Sequence, residues 1–312
     1  MDNEFAQDIL EGLTAKNKFI PDRQYYDDRG SVYFQDLMND ERYYVTPAEL
    51  SIFEAYKKEW VQLFSDKVEK VQLIEFGAGD GYKTKVLLKE LFEQKVNFEY
   101  YPIDYSKKYL DDLKESAAKE IGDFPIYPIH KDYFDALADI KKEEGVRKVV
   151  LFIGSSLGGI SKEEQSDFLS QLSSLLQKGD LFLLGLDLEK SPQILHRAYH
   201  DTCRDWAFYL LSRINTELAA NIDTDKFEYY TYYEPFTKEF RWYFLSKEEQ
   251  ITYIKDLDKE ISFALNEPVF IGRSTKYSKK DIEQLVKNKG LKLQSFYTDK
   301  ETLFSNSIFV KE

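Results

Sequence analysis

Cysteine is almost missing from this sequence. Cys203 stands alone in 312 residues, which excludes an internal disulfide and a cysteine-based metal cluster. Histidine is nearly as scarce. His196 and His200 stand at i, i+4, but no H-E-x-x-H glutamate lies between them, and His130 is remote, so no metal is expected. No apolar run of about 18 residues occurs. The first ten residues, MDNEFAQDIL, are acidic rather than leader-like, so neither a membrane partner nor a signal peptide is expected. Basic charge is also short. The 43 Lys and Arg stand against 56 Asp and Glu, for a net charge of −13. A field of that sign repels phosphate polymers, so no nucleic-acid partner is expected. The 14 Gly and 8 Pro are scattered, and no repeat or low-complexity linker divides the chain. What is present is apolar and aromatic, 43% and 16% of residues, enough for a sizeable core. A soluble, cytoplasmic protein is the expectation.

At this length one large domain or two interlocked ones are expected, since single domains usually hold roughly 100–200 residues. The middle of the chain alternates short apolar runs with amphipathic stretches. The runs are 71–76 (VQLIEF), 98–103, 124–129, 149–153 (VVLFI) and 181–188 (LFLLGLDL). Helix-like segments over 82–93, 106–121 and 161–177 separate them. Continuous apolar strands between helices indicate a parallel sheet covered on both faces, a doubly wound α/β core. Two further strand-like runs, 291–296 and 305–310, return to this pattern at the end. Residues 1–46 lack a strand pattern. Residues 191–278 open with a helical stretch over 193–217 and continue through alternating aromatic segments, 227–236 and 240–245. A core of 47–190 with 279–312, and a second α+β domain of 1–46 with 191–278, is therefore expected.

The strongest local signal is Glu75-Phe76-Gly77-Ala78-Gly79-Asp80-Gly81, between the first strand and its helix. Glycines there let backbone approach a ligand, and the helix start offers N–H donors. The spacing is G-x-G-x-G, so the G-x-G-x-x-G dinucleotide pattern is not met. Asp104 ends the next strand, 25 residues after Gly79, where a carboxylate can accept from both ribose hydroxyls of an adenosine ligand. Ser106 follows it. Asp132-Tyr133, after the third run, suit an adenine amino group and an aromatic wall. A carboxylate at Glu75 repels a pyrophosphate and can hold a cationic methionine group. S-adenosylmethionine (SAM) is the cofactor these features select, and an antiparallel closing strand is common among methyltransferases.

With these residues on the page, the chain resembles the histidine-specific, SAM-dependent methyltransferase family of the ergothioneine pathway. The stretches that carry the resemblance are 25–34 (YYDDRGSVYF), 41–49 (ERYYVTPAE), 75–84 (EFGAGDGYKT), 102–106 (PIDYS), 153–158 (IGSSLG), 185–190 (GLDLEK), 197–201 (RAYHD) and 215–218 (NTEL). They run in order through nearly the whole chain. The resemblance implies a class I methyltransferase core, a Rossmann-like sheet with a reversed C-terminal strand, and an inserted domain that closes over an amino acid. It implies a SAM site of Tyr26, Gly77, Lys83, Asp104, Asp132 and Tyr133 with Ser155 nearby, to which Glu75, Ala78, Gly79 and Ser106 are added from the loop reading. It also implies that Tyr43 and Tyr199 orient the amino and carboxylate groups of the acceptor, near Gly154, and that Ser274 reaches its side group.

Three positions depart from the family pattern. Gly159 stands where the family has an asparagine that clamps the amino-acid head. Gly272 stands where a glutamate meets the imidazole, and Trp242 stands where a methionine is usual. The expectation is an N-methyltransferase acting on an amino acid or related small amine, with an altered acceptor pocket lined by Tyr43, Gly154, Gly159, Tyr199, Trp242 and Ser274. Tyr43 is the candidate catalytic residue, because it could accept a hydrogen bond from an amine or pass its proton to water. Two other readings stay open: a SAM-binding protein that has lost catalysis, and a nicotinamide oxidoreductase with an atypical loop.

Overall fold

The computed structural model describes residues 3–141 and 143–312. Lys142, within the charged run 141–144, and residues 1–2 lie outside them. The helices are α1 (Asn3–Thr14), α2 (Asp28–Met38), α3 (Val45–Ser65), α4 (Thr84–Glu93), α5 (Lys107–Glu120), α6 (Tyr133–Asp139), α7 (Lys162–Leu175), α8 (Pro192–Glu217) and α9 (Lys279–Leu285). The strands are β1 (Lys70–Phe76), β2 (Phe98–Ile103), β3 (Val146–Phe152), β4 (Leu181–Asp187), β5 (Phe227–Glu234), β6 (Glu239–Ser246), β7 (Gln250–Ile254), β8 (Lys259–Phe263), β9 (Pro268–Thr275), β10 (Leu291–Thr298) and β11 (Phe304–Lys311). They divide between two compact units, residues 1–44 with 190–276 and residues 45–189 with 277–312.

The second unit is built on a six-stranded sheet in the order β10-β11-β4-β3-β1-β2. Strands β2, β1, β3 and β4 are parallel, while β11 runs antiparallel to both β4 and β10. Every residue of β4 is buried, as is all of β1 after its first residue, which accounts for their unbroken apolar runs. One face packs Phe76, Phe152, Leu169, Leu172 and Phe182 among the sheet's helices. Phe76 lies almost parallel to Tyr133 at 4.9 Å between ring centroids. Capping fixes where these helices begin. Ser106 caps α5, Asp132 caps α6, and Ser161 with Glu164 forms a reciprocal box at the start of α7.

The third apolar run does not become a strand. Residues 124–129 meet β2 only through isolated bridges, Tyr100 with Ile126 and Ile103 with Ile129. Pro125 and, facing the segment from β2, Pro102 have no N–H to donate, so the ladder is interrupted at the sheet edge. The remaining bonds still hold the segment, with Tyr100 N–H donating to the Pro125 carbonyl at 2.9 Å and Ile129 N–H to the Pro102 carbonyl at 2.9 Å.

In the first unit, α8 covers an antiparallel sheet, β5-β6-β9, and β7 with β8 forms a separate hairpin. The N-terminal piece is stitched into it by backbone. Ile20 N–H donates to the Phe270 carbonyl and Phe270 N–H to the Lys18 carbonyl, both at 2.9 Å. A buried polar knot adds to this, in which Asp8 accepts from Gln24 at 2.6 Å and Arg213 donates to the Gln24 carbonyl at 2.8 Å. Residues more than 180 apart in the chain thus share one core, which no local pattern could reveal.

Glu75 corrects one expectation. Rather than facing a ligand at the loop, its side chain turns into the core and is 1% exposed. It accepts from Thr84 Oγ1 at 2.6 Å and from the Tyr100 hydroxyl. Burial pushes its pKa up from 4.5 to about 7, against the opposing pull of those two hydrogen bonds. Its folded pKa is raised, so its contribution to stability is complete below about pH 4.5 and is lost as pH rises through about 7. Glu75→Gln keeps the shape and removes the charge. It should be the more stable protein above pH 7, by up to about 3 kcal/mol, with a flatter stability profile between pH 4.5 and 7. Urea melts across that pH range check this, and parallel profiles for the two proteins would contradict it.

Candidate active site

The loop after β1 holds three glycines in left-handed conformation, Gly77 at φ 68°, Gly79 at φ 53° and Gly81 at φ 66°. A Cβ at Gly79 would meet nothing within 4 Å, so its backbone faces open space, whereas one at Gly77 would come within 3.1 Å of the Tyr133 hydroxyl. Gly77 and Ala78 donate their N–H groups to the Ile103 carbonyl at 2.9 and 3.2 Å. Asp104, partly exposed, accepts from Gly79 N–H through one oxygen and from Ser106 N–H through the other, each at 2.9 Å. Two carboxylate oxygens offer about four acceptor positions, so the group retains capacity for a ligand's hydroxyls. Asp132 is exposed; it caps α6 with Oδ1 and accepts from the Tyr105 hydroxyl at 3.3 Å with Oδ2. The half-buried Tyr133 stands between Phe76 and Tyr105, 5.6 Å from the latter. Open glycine backbone, a carboxylate at the end of the neighbouring strand and an aromatic wall fit an adenosine-type group.

After β3 the chain turns through Gly154 at φ 75° and Ser155 at φ 62°. Ser155 is buried, and its hydroxyl accepts from Asp187 N–H at 3.1 Å, which ties this turn to the end of β4. Gly159 ends the short turn of helix that follows.

One residue here escaped the sequence reading. Glu49, on α3, is fully buried. Its carboxylate pairs with the Lys83 ammonium and accepts from Gly154 N–H at 2.9 Å and from Asn306 Nδ2 at 3.0 Å. A Cβ on Gly185 would stand 2.1 Å from Glu49 Oε1, so the glycine in β4 is what makes room. Lys83 was singled out as a ligand contact; its ammonium is held from behind by this carboxylate, and its side chain keeps 14% exposure. The signal was present in the stretch 41–49, which ends on Glu49, but spacing does not say which acid turns inward.

The first unit carries the other expected residues. Tyr26 is half exposed, edge-on to Phe34 and Trp206. Tyr43 is buried and meets the ring of Tyr199 edge-on at 5.7 Å. Tyr199 lies 5.4 Å from both Phe240 and Trp242, so four aromatic rings form one wall. Trp242 pairs with Gly272 across β6 and β9, beside a register shift. A Cβ on Gly272, at φ 159°, would stand 3.4 Å from the Trp242 ring. Ser274 lies near the end of this strand and the wholly buried Lys276 just beyond it, and Lys276 was not foreseen. Tyr43, Tyr199, Trp242 and Ser274 thus belong to the first unit, while Gly154 and Gly159 belong to the second. His196 and His200 stack at 4.3 Å, and His200 Nδ1 is 3.0 Å from Thr231 Oγ1. Among the described residues no group of His, Cys, Asp and Glu is arranged to hold a metal, and no helix is long and apolar enough to cross a membrane.

Comparison with known proteins agrees with this geometry. Residues 5–311 match the family described as histidine-specific methyltransferase, SAM-dependent. The chain is 28% identical over 308 residues to histidine N-alpha-methyltransferase of Mycolicibacterium smegmatis, covering 98% of this chain and 94% of that protein. It is 27% identical over 322 residues to L-tryptophan methyltransferase of Psilocybe serbica, covering 95% of this chain and 90% of that one. A solved structure from Bordetella parapertussis, described as a possible exported protein, is similar over 91% of this chain and 83% of its own at 12% identity, with a TM-score of 0.50, a likeness of fold alone. The six-stranded unit is a class I methyltransferase core, and the chain belongs to the histidine-specific, SAM-dependent methyltransferase family as an N-methyltransferase that takes its methyl group from SAM.

Proposed function

We propose that the enzyme methylates the nitrogen of an amino acid or related small amine other than histidine. The observation that carries this reading is Gly272. Where a carboxylate would receive an imidazole N–H, there is only backbone against the Trp242 ring. A buried N–H without an acceptor costs about 1–3 kcal/mol, and Gly159 likewise offers no side-chain amide to the amino-acid head. The wall of Tyr43, Tyr199, Phe240 and Trp242 suits a flat acceptor, and the similar protein from Psilocybe serbica is named for tryptophan.

SAM supplies an electrophilic methyl group on a sulfonium. Gly77, Ala78 and Gly79 present backbone to it, Asp104 accepts from its ribose hydroxyls, and Asp132 with Tyr133 borders its adenine. Lys83 and Ser155 complete this set. Little acid–base chemistry is needed beyond delivering an unprotonated nitrogen in line. Positioning within about 3–3.5 Å can supply roughly 7–11 kcal/mol of the barrier. Tyr43 accepts from the amine or relays its proton to water. A cytoplasmic setting, where free amino acids are at hand, belongs to the same reading.

Two measurements test it. Asp104→Ala should lower SAM affinity at least about tenfold, because charge-assisted hydrogen bonds contribute roughly 1.5–3 kcal/mol each. Titration calorimetry on a variant with an unchanged circular dichroism spectrum would show this, and undiminished affinity would remove Asp104 from the site. Incubation of the enzyme with deuterium-methyl SAM and a panel of amines, read by mass spectrometry, should label some other amine at least about tenfold faster than histidine. Efficient trimethylation of histidine would overturn the reading.

A further inference from the structure

A lysine with no exposed surface is uncommon, because a charged side chain is almost never fully buried unless paired. Lys276 is such a residue. Its ammonium donates to the Tyr199 hydroxyl oxygen at 2.9 Å and to Ser274 Oγ at 2.5 Å, and it stands 4.1 Å from the Tyr199 ring centroid. Its backbone is fixed as well, with the Lys276 N–H donating to the Lys238 carbonyl at 2.8 Å.

An ammonium only donates, so the oxygen of Ser274 must act as acceptor toward it. The single hydrogen of that hydroxyl then points away from Lys276. Ser274 is 8% exposed, and no described residue accepts this hydrogen. Gly272, two residues earlier on the same strand, contributes no side-chain acceptor either. The Ser274 hydroxyl therefore has a hydrogen to offer, and Gly272 adds no side-chain acceptor beside it.

We propose that Lys276 is a positioning residue that holds Ser274 as a hydrogen-bond donor, so that the enzyme prefers amines whose side group ends in an acceptor atom, such as a pyridine-type nitrogen or a carbonyl, over those ending in C–H or N–H. The inference rests on the reading that Ser274 faces the methyl acceptor. An acceptor atom satisfies the buried hydroxyl hydrogen, whereas a ligand N–H could use only the second lone pair of Ser274 Oγ and would leave that hydrogen unmatched.

A matched pair of ligands tests this without requiring turnover: 3-(4-pyridyl)alanine and phenylalanine, titrated calorimetrically near pH 8 into the enzyme saturated with S-adenosylhomocysteine. The wild-type protein should bind the pyridyl compound at least about tenfold more tightly. In Lys276→Met the ratio should fall toward one with S-adenosylhomocysteine affinity retained, and Lys276→Arg, which keeps a donor, should restore part of it. Ser274→Ala removes the hydroxyl while leaving Lys276 and its bond to the Tyr199 hydroxyl in place, so it serves if Lys276→Met fails to fold, and its ratio should also fall toward one. Equal binding of the two ligands by the wild type, failure of both to bind, or a preference that survives in Lys276→Met or Ser274→Ala overturns the proposal. Failure of S-adenosylhomocysteine itself to bind contradicts the cofactor reading instead.

Discussion

A carboxylate removed from water must find partners inside the protein, and Glu49 finds them in segments at the strand ends of the six-stranded core. Lys83 follows the glycine loop after β1, Gly154 opens the turn after β3, and Asn306 lies on the reversed strand β11. Gly185 of β4 gives up its side chain to admit the carboxylate. An unpaired buried charge costs several kcal/mol, so the three bonded segments are held to α3 by one group. The arrangement also sets what Lys83 can do. Its charge is balanced by this carboxylate, so its ammonium is held in place rather than left as a mobile cation.

A second buried group plays a comparable part in the other unit. Lys276 joins Tyr199 and Ser274 under the aromatic wall and orients hydroxyls. Glu75 is a third inward-turned acid or base. Each fixes the shape of backbone or hydroxyl groups nearby. The parts that face open space, such as Gly79 and the exposed carboxylate of Asp132, are few. The methyl transfer asks mainly for position, and buried charge is what holds position here.

Much of the core was legible because its strands are buried on both faces: the runs at 71–76, 149–153 and 181–188 carry the positions of β1, β3 and β4. The glycine loop and Asp104 were legible because left-handed backbone and an acid at a strand end leave a mark in the sequence. The run 124–129 misled, since its apolar pattern is that of a strand while Pro125 and the facing Pro102 of β2 break the ladder. The direction of Glu75 was not legible, because it is decided by Thr84 at the start of α4 and Tyr100 on the neighbouring strand β2. Glu49 and Lys276 were missed for a related reason. Both look like ordinary surface charges until partners distant in the chain, such as Asn306 and Tyr199, are brought beside them. Strands β7, β8 and β9 lack a strong alternation, and their pairing is long-range.

Calorimetric titration of SAM into Glu49→Ala, with hydrogen exchange at the Gly154 amide followed in parallel, tests most directly whether this carboxylate organises the site. The account expects a folded protein with faster exchange at Gly154 and SAM affinity reduced at least about tenfold, since a partly buried cation and a backbone N–H lose their shared partner. Wild-type affinity together with unchanged protection at Gly154 would contradict it.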